Sequence, residues 1–232
     1  MEGLAFMDCP ITVLVGHAGV GKTNVALGLT TMLAREGYQV TLADLDVVNP
    51  YFRSSDYPEF LAEAGVDLIA PVLARTTLDT PSISGVVDAA IDAAAHDSGR
   101  RLILDVGGDD DGATTIGRWA RQLEAAHAQV LYVVSAFRAL TQTAEEAKEI
   151  MHDIEDHAHL KCTGVLNTSN LGDETTAEHV AYGRAFAREV ADATGLPLVA
   201  TVVPEVAGDI AQTEGDEPLL SMARHVRLPW DV

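Results

Sequence analysis

Short runs of apolar, often β-branched residues alternate along the chain with longer segments in which apolar positions recur at helical spacing. These runs predict strands at residues 11–15, 39–43, 67–70, 101–106, 130–134, 164–167 and 199–203. The helical segments predict a first helix that starts after Lys22 and stops at Gly37, and others at residues 84–96, 114–127, 143–157, 176–194 and 219–226. Because the linkers are short, the alternation predicts a single α/β domain over residues 1–232, with a mostly parallel sheet of about seven strands and helices on both faces.

A glycine-rich loop stands between the first predicted strand and the first predicted helix. Residues 16–23 read GHAGVGKT and match G-x-x-x-x-G-K-[ST] in the strand-to-helix setting that this motif requires. Such a loop surrounds phosphate with backbone N–H groups at a helix N-terminus. The motif predicts that Lys22 acts in catalysis on the β and γ phosphates and that Thr23 binds Mg²⁺. The residues predicted to bind the nucleotide are Gly16, His17, Ala18, Gly19, Val20, Gly21, Lys22, Thr23 and Asn24.

Carboxylates follow two other predicted strands. QVTLADLD places Asp44 and Asp46 at the end of the second strand, and RLILDVGG places Asp105 just before Gly107 and Gly108. The carboxyl ends of neighbouring parallel strands converge on one crevice, so these side chains are expected to meet near a bound Mg²⁺. A solvated aspartate at a strand end remains the alternative for each of them.

The segments GHAGVGKT, DLD and LILDVGG together resemble the MinD/ParA/CobQ-type nucleotide-binding domains of the SIMIBI class of P-loop ATPases. The resemblance covers nearly the whole chain and implies a P-loop NTPase domain with ATP or ADP and Mg²⁺ as cofactors. It implies that Asp46 orients the attacking water and that Asp44 lies near Mg²⁺. It also implies that Asp105 binds the Mg²⁺ shell and that Gly107 or Gly108 senses the γ-phosphate.

The expected base is adenine, because no N/T-K-x-D element of a guanine site follows a late strand. The resemblance implies that Asn167, at the end of the sixth strand, hydrogen-bonds the adenine and that Pro204 and Glu205 flank it. A plain turn residue is the alternative for Asn167.

One position departs from the resemblance. Dimerising members of this class carry a signature lysine directly after the first loop glycine, and here that residue is His17. Histidine is only partly charged near neutral pH, so the resemblance allows a homodimer but does not carry over activation through a signature lysine. His17 is either an exposed loop residue or a pH-sensitive phosphate contact.

Three other segments allow two interpretations each. In NPYFR, at residues 49–53, Arg53 either stabilises transition-state charge or lies on the surface beside core or partner-facing Tyr51 and Phe52. The segment HDIEDHAH, at residues 152–159, favours a polar helix end over a metal site. The C-terminal LLSMARHVRLPW favours a docked last helix over a membrane-targeting tail.

Composition excludes some functions and partners. The chain has 15 Lys and Arg against 35 Asp and Glu, and its net charge of −20 disfavours nucleic acid and anionic lipid. No apolar run approaches the roughly 20 residues of a membrane span. The first residues, MEGLAFMD, lack the features of a secretory signal, so a cytoplasmic location is predicted.

The phosphate loop and the resemblance together imply a Mg²⁺-dependent ATP-binding protein with slow ATPase activity, which acts as a nucleotide-dependent switch toward an unknown protein partner. Two alternatives stay open. One is an ATP-dependent ligase of the dethiobiotin synthetase type that acts on a small carboxylic acid, and the other is a nucleotide-binding module that does not hydrolyse ATP.

Overall fold

The computed structural model describes residues 5–46, 53–70, 80–108, 110–138, 142–207 and 217–226. Within these residues eight strands form one sheet in which all paired neighbours are parallel, with the order β3-β2-β4-β1-β5-β6-β7-β8. The strands are β1 Ile11–Val15, β2 Gln39–Leu45, β3 Asp67–Ile69, β4 Arg100–Val106, β5 Gln129–Val134, β6 Gly164–Asn167, β7 Leu198–Pro204 and β8 Leu219–Met222. The predicted α/β class is confirmed, with eight strands where about seven were expected.

Seven α-helices connect the strands of the described chain. They are α1 Lys22–Arg35, α2 Pro58–Glu63, α3 Thr80–His96, α4 Asp110–Gly117, α5 Ala120–Ala125, α6 Ala144–Ala158 and α7 Ala177–Thr194. Local sequence explains several of their ends: Thr143 and Thr176 each accept a hydrogen bond from a first-turn amide, and Gly195 ends α7 in the left-handed conformation.

Two hydrophobic cores lie on opposite faces of the sheet, as the alternation of side chains along a strand requires. In β1, Val13 packs into the core beneath α3 to α7, whereas Leu14 packs into the core that holds Leu27 and Leu33 of α1. This arrangement confirms the prediction of helices on both faces. It also leaves the carboxyl ends of the strands at one edge, where the glycine-rich loop leaves β1.

Two predicted helices differ from the structure. The segment expected as one helix over residues 114–127 is divided into α4 and α5 at Trp119, whose buried indole N–H donates to Asp88 Oδ1 at 2.8 Å. The segment expected as a helix over residues 219–226 instead begins with β8, which pairs with β7. Leu220 and Met222 are buried and Ser221 between them is exposed, which is the period of a strand.

Candidate functional site

The loop between β1 and α1 has the backbone of a phosphate-binding loop. Gly16, Gly19 and Gly21 have φ values of 146°, 76° and 99°, which side-chain-bearing residues rarely adopt. The Thr168 hydroxyl, just after β6, donates to the Val20 carbonyl at 2.6 Å and holds the far side of the loop. The loop therefore keeps an open curve at the N-terminus of α1.

The side chain of Lys22 lies inside this curve. Its Nζ donates to the Gly16 carbonyl at 2.7 Å and to the His17 carbonyl at 3.1 Å, and the residue is only 7% exposed. The ammonium group is thus hydrogen-bonded to the phosphate-binding loop itself, close to where the motif predicts it to act.

Asp44 and Asp105 meet beside the loop, as predicted. They are paired in register on β2 and β4 and are 0% and 2% exposed. Burial raises the pKa of Asp105 from 3.8 to about 6, and the Asp44 charge adds to the shift, while hydrogen bonds from Ser54 and Thr23 and the charge of Lys22 oppose it. Thr23 and Asp105 therefore lie together, and their oxygens are ligands that suit Mg²⁺.

The segment directly after the predicted switch caps these carboxylates. Arg53 Nε lies 3.1 Å from Asp44 Oδ2, the Ser55 amide donates to the same oxygen at 3.1 Å, and the Ser54 hydroxyl donates to Asp105. The surface interpretation of Arg53 is wrong, because its side chain is 11% exposed and paired with a buried carboxylate. Tyr51 and Phe52 lie outside the described residues.

The two glycines after β4 have different surroundings. A Cβ on Gly108 would lie 2.5 Å from Ala18 Cα and 2.9 Å from Lys22 Nζ, so only glycine fits against the loop here. Gly107 packs against α4 instead, since a Cβ on Gly112 would lie 2.6 Å from its backbone. Gly108 is thus the glycine in contact with the loop.

A cavity of about 720 Å³ opens at the carboxyl ends of the strands. The sheet order places one end of the cavity beside β4 and β2 and the other beside β6 to β8. Residues on the first side are Lys22, Thr23, Asp46 and Gly108. Residues on the second side are Asn170, Leu171, Gly172, Pro204, Arg224 and Val226. Phosphate groups and metal therefore fit the first end, and a base fits the second.

The structure places two predicted base contacts away from the cavity. Asn167 is fully buried, donates to Thr201 Oγ1 at 3.2 Å and accepts from the Ser169 amide at 2.9 Å. Glu205 is exposed and, unlike Pro204, does not line the cavity. Direct recognition of adenine by Asn167 thus requires a rearrangement, whereas Asn170 already lines the cavity.

Asn24, predicted to bind nucleotide, lines the cavity and also holds the C-terminal segment. Its Oδ1 accepts from the amides of His225 at 2.7 Å and Val226 at 3.2 Å, and its Nδ2 donates to the Ala223 carbonyl at 3.2 Å. These bonds bring Arg224 into the cavity wall. Sequence reasoning missed this wall because it expected a helix there.

The described part of the chain shows neither of two other site types. No group of three or more His, Cys, Asp or Glu side chains there is arranged to hold a metal ion by itself. A nucleotide-bound Mg²⁺ does not require such a group, because phosphate oxygens and water supply most of its ligands. Among the described residues, none of the helices combines the length and the hydropathy that a membrane span requires.

Comparison with known proteins agrees with this geometry. The sequence profile of the CobQ/CobB/MinD/ParA nucleotide binding domain matches residues 11–219. No curated protein matches significantly.

Similar solved structures include the 54 kDa protein of the signal recognition particle from Aeropyrum pernix in complex with GDP (19% identity, TM-score 0.53, covering 81% of this chain and 40% of that one). They also include the signal recognition particle receptor FtsY from Elizabethkingia anophelis in complex with GDP (17% identity, TM-score 0.58, covering 83% of this chain and 57% of that one). A third is FtsY from Thermotoga maritima (19% identity, TM-score 0.56, covering 83% of this chain and 61% of that one). The chain spans less than two thirds of the length of these proteins, and at such identities the likeness shows the fold alone.

Fold and loop together define a P-loop NTPase domain of the SIMIBI class. Because the profile match extends over most of its length, the chain belongs to the CobQ/CobB/MinD/ParA nucleotide-binding domain family.

Proposed function

We propose that this protein is a Mg²⁺-dependent, ATP-binding switch with slow ATPase activity that controls association with a protein partner. The observation that carries the proposal is that Lys22 and Thr23 line one end of a cavity large enough for a nucleotide, and that the buried carboxylate of Asp105 lies directly behind them, in contact with Thr23.

Each residue of the phosphate end has a distinct role in this proposal. The loop amides and Lys22 bind the β and γ phosphates, and Thr23 and Asp105 hold Mg²⁺, which neutralises phosphate charge when bound. Asp46 lines the cavity and orients water for attack on the γ-phosphate. Asp44 is paired with Arg53 and accepts a hydrogen bond from the Asp46 amide, so it supports the site through these neighbours.

The base end favours adenine over guanine. Guanine presents two neighbouring N–H donors that a carboxylate accepts best. Among the described residues that line the cavity, the only carboxylate is Asp46, and it lies at the phosphate end. Amide and carbonyl groups near Asn170 suit the donor and acceptor of the adenine edge.

The cap over the carboxylates supports a switch. Mg²⁺ that binds Asp105 competes with the Ser54 hydroxyl, and a change at Asp44 acts on Arg53 and Ser55. Nucleotide state is thereby coupled to residues 53–56, which form a short turn on the side of α1. A partner that contacts this turn would sense the nucleotide.

Equilibrium binding and phosphate release test the proposal. The wild-type protein should bind ATP in the presence of Mg²⁺ more tightly than GTP, and Lys22→Ala should weaken ATP binding by about 100-fold or more. Arg121→Ala, an exposed change on α5 of the same charge, is the matched control. Equal affinity of Lys22→Ala and wild type would exclude this site.

The two alternatives give different outcomes in the same assays. ADP release that requires a small carboxylic acid and no protein would favour the ligase. Tight Mg²⁺-ATP binding without phosphate release over many hours, with and without cell extract, would favour the module that does not hydrolyse ATP.

A further inference from the structure

The phosphate loop has little side-chain charge of its own. Beyond Lys22, its only titratable side chain is His17, which is half-buried, and its Nδ1 lies 3.0 Å from the carbonyl of Ala18. The imidazole thus turns back on its own loop and does not line the cavity. A nucleoside triphosphate brings several negative charges into a site that already holds Asp44, Asp46 and Asp105.

We propose that Arg138 supplies, from the same chain, the second positive charge for the β and γ phosphates of a bound nucleoside triphosphate. The proposal rests on the proposed function, because it assumes that the loop binds a triphosphate. In this proposal Arg138, in the loop after β5, provides the positive charge that His17 does not provide to the phosphates.

The fold places Arg138 beside the middle of the phosphate loop. β5 is the parallel neighbour of β1, with Val15 opposite Tyr132, so the loops that leave the two strands run side by side. A Cβ on Gly19 would lie 3.7 Å from both Cζ and Nε of Arg138. The guanidinium therefore lies over Gly19 and lines the cavity.

Residues 136 and 137, which precede Arg138, are held in place by contacts with neighbouring elements, whereas the side chain of Arg138 is exposed. The Ala136 amide donates to Ser169 Oγ at 2.8 Å, and the Phe137 ring packs edge-on to His179 with centroids 5.6 Å apart. Arg138 itself is exposed and, within the described part of the chain, makes no hydrogen bond or ion pair.

Three other arginines of this region contact groups away from the phosphate loop. Arg53 is paired with Asp44, and Arg184 is buried against Glu217. Arg224 lies at the base end, against Gly172. Arg138 thus differs from these three because its guanidinium faces the phosphate loop without a carboxylate partner in the described residues.

The chemistry of guanidinium fits this task. It stays charged at any physiological pH and binds phosphate oxygens through two parallel N–H donors. An arginine at the transferring phosphoryl group stabilises negative charge that grows in the transition state. Since Arg138 belongs to the same chain as the loop, this contribution does not require a second protomer.

Nucleotide selectivity and hydrolysis test the proposal with Arg138→Ala, Arg138→Lys and the matched control Arg121→Ala. We expect Arg138→Ala to weaken a non-hydrolysable ATP analogue about tenfold with Mg²⁺ present, and ADP by much less. Single-turnover hydrolysis should fall by about 100-fold. Arg138→Lys should recover most of the binding and little of the rate, because ammonium keeps the charge but loses the paired donors.

Mixing the variants separates action within one chain from action across two. Arg138→Ala mixed with Lys22→Ala should stay inactive, because neither chain holds both groups; recovery of activity would place the arginine in the partner's site and overturn the proposal. Unchanged binding and hydrolysis in Arg138→Ala would also overturn it. If the wild type binds no nucleoside triphosphate, the proposed function fails too, whereas loss of binding only in Lys22→Ala would overturn the inference about Arg138 alone.

Discussion

In the described part of the chain, two buried charged clusters lie on opposite sides of β1, and they differ in the balance of negative and positive side chains. At the ends of β2 and β4, Asp44 is paired with the guanidinium of Arg53, whereas Asp105 accepts hydrogen bonds from Ser54 and Thr23 and feels the charge of Lys22. Beside β7 and β8, Glu217 is held by Arg184 at 2.5 Å and Arg188 at 3.0 Å. In the first cluster one ion pair serves two buried carboxylates, whereas in the second two arginines pair with one carboxylate.

The pKa values follow this balance. The pKa of Asp105 is raised to about 6, mainly by burial. Burial would also raise the pKa of Glu217, but hydrogen bonds from Arg184 and Arg188 outweigh it and hold that pKa below 4.5. We call the first cluster the unsatisfied cluster, because burial outweighs the contacts of Asp105 and a bound cation would stabilise it, and the second the structural cluster, because its arginines outweigh burial. We therefore expect the first cluster to bind a cation and the second to stabilise the fold.

The largest expected effect on stability comes from removing the carboxylate of the structural cluster. Glu217→Ala leaves Arg184, which is 2% exposed, without its carboxylate, and we expect the free energy of unfolding to fall by about 3–5 kcal/mol. Urea titration monitored by circular dichroism measures this. Arg188→Ala is the control, because its side chain is 45% exposed and its loss should cost about 1 kcal/mol or less. Equal losses in both variants would contradict the comparison.

Removing charge from the unsatisfied cluster should have the opposite sign. Asp105→Asn removes the charge of a buried carboxylate whose pKa is raised from 3.8 to about 6, so the nucleotide-free protein should gain roughly 1–3 kcal/mol of stability at neutral pH. The raised pKa means that ionisation costs stability above 6 and costs none below 3.8, so the gain should shrink as pH falls through this window.

Thermal unfolding at several pH values measures the gain, and the same variant should lose Mg²⁺-dependent nucleotide binding. Thr114→Ala, an exposed change on α4, is the control. A less stable Asp105→Asn protein at neutral pH would show that the cluster is structural after all.

The sequence predicted the first cluster much better than the second. Asp44 and Asp105 end strands beside a recognisable glycine loop, so strand pairing alone brings them together. Glu217 and Arg184 are 33 residues apart and follow no motif, and only the pairing of β8 with β7 joins them. That pairing was missed because LLSMARHV also fits a short amphipathic helix, and an exposed strand edge that needs a partner is not visible in a sequence.

Side-chain direction was the second limit. The sequence places Asn167 at the right strand end, but whether it faces the cavity depends on Thr201 in the next strand, with which it hydrogen-bonds. Likewise, the interpretation of Arg53 depended on burial of Asp44, which no local pattern reveals. Backbone-driven features such as the glycine loop are therefore predictable, whereas buried polar contacts between distant strands are not.

Acid should act on the structural cluster in a defined pH range. A lowered pKa means that ionised Glu217 stabilises the fold fully above 4.5 and that this contribution is lost as pH falls through the lower folded value. Wild-type stability should therefore decrease below that pH, and Glu217→Gln should decrease less steeply. Urea titrations at about pH 5 and pH 3.5 measure the two slopes, and parallel slopes would remove Glu217 as the cause.

The smallest expected effect comes from the cap on the unsatisfied cluster. Ser54→Ala removes the hydroxyl that donates to Asp105, and the nucleotide-free protein should lose about 1 kcal/mol of stability. Because Mg²⁺ then no longer competes with that hydroxyl, Mg²⁺-dependent ATP binding should tighten by a few-fold while ATP binding without Mg²⁺ stays unchanged.

Ser55→Ala is the matched control, since Ser55 contacts Asp44 through its backbone amide and keeps that contact after the change. Isothermal titration with and without Mg²⁺ distinguishes the outcomes, and weaker Mg²⁺-dependent binding in Ser54→Ala alone would mean that the hydroxyl helps to hold the metal shell and does not compete with it.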